Sequence, residues 1–314
     1  MRVIIHTHTD PYFNLAAEEY LLENETQDIF MLWRNDNAVV IGKNQNAWAE
    51  VNVPFTEEQG ITVVRRLSGG GAVFHDLGNV NFTYITAHDP ARGIDFRPFL
   101  EPILRALASL GVEASADGRN DVVVSGAKIS GNAQYMKEGR VMHHGTLLFD
   151  SDLSVLSKAL KPDPEKIRAK GVKSVRSRVA NIRSLLKRDM TLQEFRDHLA
   201  RHLLGGDGVR YELTKADLDA VEAIRAARYG TWEWNYGASP RCDVQRSARI
   251  EGVGTVRAHM QLDRGRIADI AFTGDFFSTR EPEELSALLR GRPLTRETLA
   301  EVDPAPYISG MTAE

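Results

Sequence analysis

Ala127-Lys128-Ile129-Ser130-Gly131-Asn132-Ala133-Gln134-Tyr135-Met136-Lys137-Glu138-Gly139-Arg140-Val141-Met142-His143-His144-Gly145-Thr146-Leu147-Leu148-Phe149-Asp150 is the stretch on which the fold class turns. Two runs of strand character, Lys128 to Met136 and Val141 to Phe149, are separated only by Lys137-Glu138-Gly139-Arg140. A short connection containing Gly reads as a β-hairpin. Hairpins make antiparallel neighbours, whereas parallel neighbours need a long crossover. The same economy of connection recurs upstream. Ile29 to Trp33 and Ala38 to Ile41 flank Asn35-Asp36-Asn37, which reads as another hairpin. Val122 to Ser125 precedes the 128–136 run directly. The expectation is an α+β fold, with a largely antiparallel or mixed sheet flanked by helices, rather than a doubly wound sheet.

Working outward, Val3 to His6 reads as a strand. Asp10-Pro11 reads as a helix start, with Asp as N-cap and Pro at the first helical position. Phe13, Ala17, Tyr20 and Leu21 recur at helical spacing and should face a core. Ile61 to Val64 and Val80 to Thr86 read as strands, with a loop from Leu67 to Gly78 between them. Leu100, Ile103, Leu104, Leu107 and Leu110 form a helical stripe ending at Gly111, and Pro98 and Pro102 predict a late or kinked start. Helical patterns cover roughly 152–205 and 215–229. Residues 246–261 and 266–273 read as two strands, followed by short helices near 281–290 and 295–302. The texture changes after Trp232 to Pro240, so a catalytic domain at 1–240 and a small α+β domain at 241–314 are expected.

With 314 residues, 42% hydrophobic and 26% charged, the chain is long enough for one large packed domain plus a small one. A net charge of -4 argues against a basic nucleic-acid binder. The single cysteine, Cys242, excludes an internal disulfide framework and a multi-cysteine metal site. The start, Met1-Arg2-Val3-Ile4-Ile5-His6, lacks a long apolar h-region, and no run of about 18 apolar residues occurs. A cytoplasmic protein with neither signal peptide nor membrane span is expected.

The strongest chemical signal is Arg65-Arg66-Leu67-Ser68-Gly69-Gly70-Gly71-Ala72-Val73-Phe74-His75-Asp76. Three glycines let the backbone approach a ligand, and successive N–H groups can line an anion site. The two arginines offer forks suited to phosphate or carboxylate. A plain turn with solvated arginines fits the composition equally. The segment is neither a P-loop nor G-x-G-x-x-G. A second signal is Gly118-Arg119-Asn120-Asp121, then Gly126-Ala127-Lys128-Ile129-Ser130-Gly131-Asn132-Ala133. A lysine between small residues can reach a buried anion, and Asp121 can hold Mg²⁺ beside phosphates. An exposed strand lysine and a turn aspartate are the bland alternative. His143 and His144 alternate across a strand and share no ligand easily, so no metal site is expected. Lys173 to Arg183 is locally basic and suits either an acidic partner or a solvated face.

Together these segments resemble the lipoate–protein ligase A family of the biotin/lipoate protein ligase superfamily. The matching pieces are DPYFNLAAEEYLL at 10–22, VVIGKNQNAW at 39–48 and RRLSGGGAVFHDLGNVNFT at 65–83. GRNDVVV at 118–124, AKISGNAQ at 127–134, HHGTLLFD at 143–150, SVRSRVANI at 174–182 and WEWNYG at 232–237 complete the set. The resemblance implies a fold related to biotin protein ligases and class II aminoacyl-tRNA synthetases, with a C-terminal domain that moves. It implies that lipoate is activated by ATP to lipoyl-AMP and passed to a lysine of a lipoyl domain of a 2-oxoacid dehydrogenase E2 subunit, or of the glycine-cleavage H protein. Lys128 falls on the ligand-binding lysine, shared by lipoate and nucleotide. Arg66, Gly71, Ala72, Val73 and Phe74 fall on the ATP-binding segment, and Asp121 sits where Mg²⁺ would accompany ATP. Gly70, His75 and His144 fall beside the lipoate pocket. Membrane and nucleic acid are not implied as partners. The rival readings are an octanoyl or lipoyl acyltransferase, whose usual cysteine nucleophile would here have to be Cys242, a biotin protein ligase, and a non-catalytic binding module.

Overall fold

In the computed structural model, every residue is described except 90, 92, 119, 162–178, 205–207, 238–243, 264–265 and 313–314. Arg119, residues 173–178 of the 173–183 basic run, Cys242 and the expected domain boundary near 241 therefore lie outside the described residues. No helix among the described residues is long and apolar enough to cross a membrane.

The chain opens with β1 (Arg2–Ile5), α1 (Pro11–Asn24), β2 (Ile29–Trp33), β3 (Ala38–Ile41), α2 (Ala47–Glu50), α3 (Val53–Glu58), β4 (Thr62–Arg65), β5 (Val73–His75) and β6 (Asn79–Ala87). It continues through α4 (Arg97–Ala108), β7 (Ser115–Asp117), β8 (Asp121–Val124), β9 (Ala127–Lys137), β10 (Arg140–Leu148), α5 (Leu153–Ala159), α6 (Leu192–Leu204), β11 (Val209–Arg210) and α7 (Lys215–Ile224). It ends with β12 (Val244–Ile250), β13 (Gly254–Asp263), β14 (Arg266–Gly274), α8 (Pro282–Leu289) and α9 (Arg296–Ala300).

An eight-stranded sheet runs β11-β1-β2-β6-β10-β9-β8-β7 among the described residues. Only the β1–β11 and β1–β2 pairings are parallel, so the sheet is mixed and mostly antiparallel. The 127–150 hairpin forms as read, with Glu138 and Gly139 at positive φ in its turn. On one face, Phe30, Leu32, Phe82, Ile103, Leu107 and Phe195 form a core with α4 and α6. On the other, Ile29, Met31, Ile85 and Met142 pack on Phe13, Ala17 and Leu21 of α1.

The hairpin expected at 29–41 does not form. Both edges of β2 are taken, by β1 and β6, so β3 pairs instead with β4 (parallel) and β5 (antiparallel) in a second, three-stranded sheet. A short strand, β5, therefore lies inside the stretch expected to be loop. The helix α4 starts at Arg97, not late: Pro98 falls in its first turn, where a missing N–H costs nothing, and burial of Leu100, Ile103 and Leu107 carries it through Pro102. The single strand expected over 246–261 is two, β12 and β13, turned at Glu251-Gly252, where Gly252 takes a φ of +74°.

The three strands β12-β13-β14 form their own sheet, with a core of Val256, Ile267, Ile270, Leu285, Leu289 and Ile308. This segment meets the rest of the chain through the Arg257–Glu50 ion pair at 2.7 Å, the end of β14 and the loop after it. Gly274 N–H donates to the Asn44 carbonyl at 2.7 Å, and Lys43 pairs with Glu281 at 2.5 Å. Phe277 inserts into the core beside Phe96, with ring centroids 5.4 Å apart.

Candidate active site

A cleft of about 580 Å³, partly open to solvent, lies between the large sheet and the small β3–β4–β5 sheet. Its walls include Arg66, Gly71, Ala72, Val73 and His75 on one side and Lys128, Gly131, His144 and Thr146 on the other. Across the sheet, Trp33, Asn81 and Thr146 stand side by side on β2, β6 and β10, with Leu15 and Val40 in the same apolar cluster as Trp33, while Lys128 on β9 and Asn120 before β8 lie on the strands beyond. The two signals far apart in sequence thus converge on one space.

Lys128 reaches it by local design. Ser125 and Gly126 both take positive φ, the two-residue turn that matches strand twist, and a β-bulge follows between Val122 and Val123 on the partner strand. The Lys128 ammonium lies 2.7 Å from Asp121 Oδ1, with both side chains about one-third exposed or less. Gly131 leaves room for it: a Cβ there would stand 2.7 Å from Lys128 Nζ and 3.0 Å from Cε.

The arginines behave differently from a pair of open forks. Arg65 is 2% exposed and gives its donors to the carbonyls of Gly42, Lys43, Gln45, Trp234 and Asn235. Arg66 donates to Ser68 Oγ and to the carbonyls of Val40, Gly69 and Gly71, leaving one Nη1 hydrogen uncommitted among the described residues. Burial lowers both guanidinium groups to about 10, Arg66 being partly restored by Glu18, so both stay charged at neutral pH. They build the glycine turn rather than decorate it.

That turn is held from both sides. Gly42 and Gly70 meet so closely that a Cβ on Gly42 would lie 2.1 Å from the Gly70 oxygen. The Gly70 N–H, at φ +87°, is taken by the Phe276 carbonyl at 3.2 Å. Gly70 therefore does not line the cleft. Phe74 does not line it either: on β5, between the cleft residues Val73 and His75, it alternates to the far side and packs with Val39, Ile41 and Val63. Asp121 stands behind Lys128 as its ion-pair partner.

A buried chain of hydrogen bonds underlies the cleft. Arg66 Nε–H donates to Ser68 Oγ, which lies 2.6 Å from His144 Nε2, and His144 Nδ1 lies 3.0 Å from both Glu18 oxygens. Thr83 donates to Glu18 at 2.6 Å and accepts from Trp33 Nε1 at 2.9 Å. Ser68 Oγ, already accepting from Arg66, turns its own hydrogen to His144 Nε2, which leaves His144 Nδ1 as the nitrogen that faces the Glu18 carboxylate. His143, one residue away and on the opposite face, is packed among Phe82, Phe96 and Phe99, and burial drives its basicity well down. Sequence reading passes over Glu18, Trp33, Leu15 and Asn81, and gives no role to Ser68 and Asn120 within the segments it singles out. The signal for Glu18 is an acid inside an apolar helical stripe, where a charge is costly unless paired.

Comparison with known proteins identifies the family. Residues 10–204 match the lipoyl protein ligase A/B catalytic domain family, and 239–312 match the bacterial lipoate protein ligase C-terminus family. The lipoate–protein ligase LplJ of Bacillus subtilis is 46% identical over 299 residues, covering 93% of this chain and 90% of that one. The structure of P. falciparum LipL1 in complex with lipoate superposes with a TM-score of 0.82 at 25% identity, covering 96% and 93% of the two chains. A lipoate–protein ligase A bound with ATP gives a TM-score of 0.64 at 27% identity, covering 75% of this chain and 98% of that one. The chain belongs to the lipoate–protein ligase family.

Proposed function

We propose that the chain is an ATP-dependent lipoate–protein ligase that works in two steps. In the first, a lipoate carboxylate oxygen attacks the α-phosphorus of ATP, the bond to the β-phosphate breaks, and pyrophosphate leaves. Lipoyl-AMP remains. In the second, a lysine amine of the acceptor protein attacks the acyl carbon, the acyl–phosphate bond breaks, AMP leaves, and the nitrogen sheds a proton. One observation supports this most: the Lys128 ammonium and the Gly71–Val73 wall share a cleft whose other end is the apolar Leu15, Trp33 and Val40. A molecule with an anionic head and an apolar ring fits that polarity.

Lys128 is the catalytic residue on this reading. Its ammonium offsets the charge that gathers where carboxylate and triphosphate meet. Arg66, Gly71, Ala72 and Val73 hold the nucleotide, with the uncommitted Arg66 hydrogen and the wall's backbone as donors. The Asp121 carboxylate, 2.7 Å from the Lys128 ammonium, would hold a Mg²⁺ accompanying the triphosphate, and the ion would offset phosphate charge there. Acceptors are lipoyl domains of 2-oxoacid dehydrogenase E2 subunits and the glycine-cleavage H protein, and the setting is the cytoplasm. Residues 241–314 form an accessory domain.

The test is lipoate-dependent exchange of pyrophosphate into ATP, followed by ATP-dependent gain of one lipoyl group on a lipoyl-domain lysine. Exchange and mass gain are expected. Acyl transfer from a carrier protein without ATP, and no exchange, would replace the reading by an acyltransferase.

A further inference from the structure

His75 closes β5 and faces the inner end of the cleft, 4% exposed, with its ring edge-on to Trp33 at 6.3 Å. Its tautomer follows from a chain of donors anchored on backbone. Asn14 Nδ2 points at the carbonyls of Arg34 (2.8 Å) and His8 (3.2 Å), which fixes that amide. The same nitrogen lies 2.8 Å from Asn35 Oδ1, which must accept, so Asn35 turns its Nδ2 toward His75 Nδ1 at 3.1 Å. His75 Nδ1 is therefore an acceptor and Nε2 carries the hydrogen. That Nε2–H is buried and has no hydrogen-bond partner among the described residues. Asn81, paired with Trp33 across the β2–β6 ladder, lines the same end, and its Nδ2 is also buried without a partner there. Burial, with smaller contributions from Arg66 and His144, lowers the imidazole to about 3, so it stays neutral through the working range.

Two unpartnered N–H donors among Leu15, Trp33 and Val40 are an odd furnishing for a slot meant to take only hydrocarbon. A buried donor that finds no acceptor is penalised, whereas a sulfur is a weak acceptor that an alkyl carbon is not. We propose that His75 Nε2–H, supported by the Asn81 amide, hydrogen-bonds a sulfur of the dithiolane ring and so selects lipoate over sulfur-free acyl chains. This rests on the ligase reading and adds to it the residues that recognise the substrate's ring. His75 and Asn81 are specificity determinants at the end of the cleft remote from the reacting carboxylate.

The experiment compares lipoate with 5-cyclopentylpentanoate, which keeps the ring and chain but replaces both sulfurs by carbon. The readout is kcat/KM for acid-dependent pyrophosphate release. The carbocycle is the more apolar acid, so burial alone would favour it. The wild-type protein is expected to prefer lipoate by about three- to tenfold, the worth of one hydrogen bond to a weak acceptor. His75→Leu should bring that ratio to about one, and His75→Gln, which can still accept from Asn35 and donate inward, should restore part of it. Equal use of both acids by the wild type, a comparison that needs no variant to fold, would overturn the proposal. So would a His75→Leu protein that loses both acids by the same factor, since a merely structural histidine behaves that way. If the wild type activates neither acid, the ligase reading itself falls, and the selectivity claim with it.

Discussion

The glycine turn and the Lys128 strand face each other across one cleft, and both carry cations, yet the cations are spent differently. Arg65 and Arg66 are buried and hand nearly all their hydrogens to backbone carbonyls. Lys128 is one-third exposed and meets one carboxylate that a competing ion can displace. On the proposed mechanism the same formal charge is scaffold on one wall and reagent on the other, and burial together with partner type separates the two. A guanidinium saturated by carbonyls cannot leave without orphaning them, whereas an ammonium on a flexible stem exchanges partners cheaply.

The sharpest way to break this contrast is Lys128→Ala. Adenylate formation should fall by about 10³-fold, a typical loss for a residue that stabilises developing charge, while the melting temperature barely moves. Pyrophosphate exchange and a thermal melt on the same preparation check both halves, and retained exchange would strip Lys128 of its role. Arg65→Ala should do the converse. Five carbonyl contacts go unanswered, and stability should drop by about 3 kcal/mol or more in urea titrations. A protein of normal stability would show that the arginine is not scaffold.

Gly131→Ala tests how finely the lysine is placed. The added methyl needs the space of Nζ and Cε, so exchange should fall by about tenfold with little change in stability. An unchanged rate would mean that the ammonium has a second productive position. A further effect is set by acid and touches the glycine-turn wall. Folding holds the His75 imidazole, chiefly by burial, from its ordinary 6.5 down to about 3. Below pH 6.5 the unfolded chain takes up a proton that the folded one refuses, so stability present above that value is lost progressively as pH falls toward 3. His75→Gln should lessen that loss in denaturant titrations between pH 7 and 4. An identical slope would show that other buried histidines, such as His143 and His6, carry the effect.

Much of this was open to sequence reading because the signals are local. The 137–140 turn, the Asp10–Pro11 helix start and the glycine run each carry their physics within a few residues. Lys128 stands out because small residues surround it, and the cleft does join it to Gly71–Val73 and His75. What stayed hidden is set by pairing at long range. Nothing in 29–41 says that both edges of β2 are already occupied, so an adjacent strand looks like its partner. The work of Arg65 depends on carbonyls at 42–45 and 234–235, and Glu18 gains its meaning from His144 and Thr83. Alternation along β5 would have separated Phe74 from its neighbours had 73–75 been read as strand.

The seam between Gly69 and Phe276 has a consequence for how the chain can change over time. A methyl group on residue 69 would stand 2.4 Å from the Phe276 oxygen, a backbone atom that no side-chain adjustment moves aside. Drift at position 69 is thus policed by a distant part of the sequence, and the first glycine of the triplet is kept bare for its neighbour's sake as much as for any ligand's. Insertions or deletions between the two halves are tolerable only if they return that carbonyl to the same spot, which ties the inheritance of the C-terminal segment to that of the cleft.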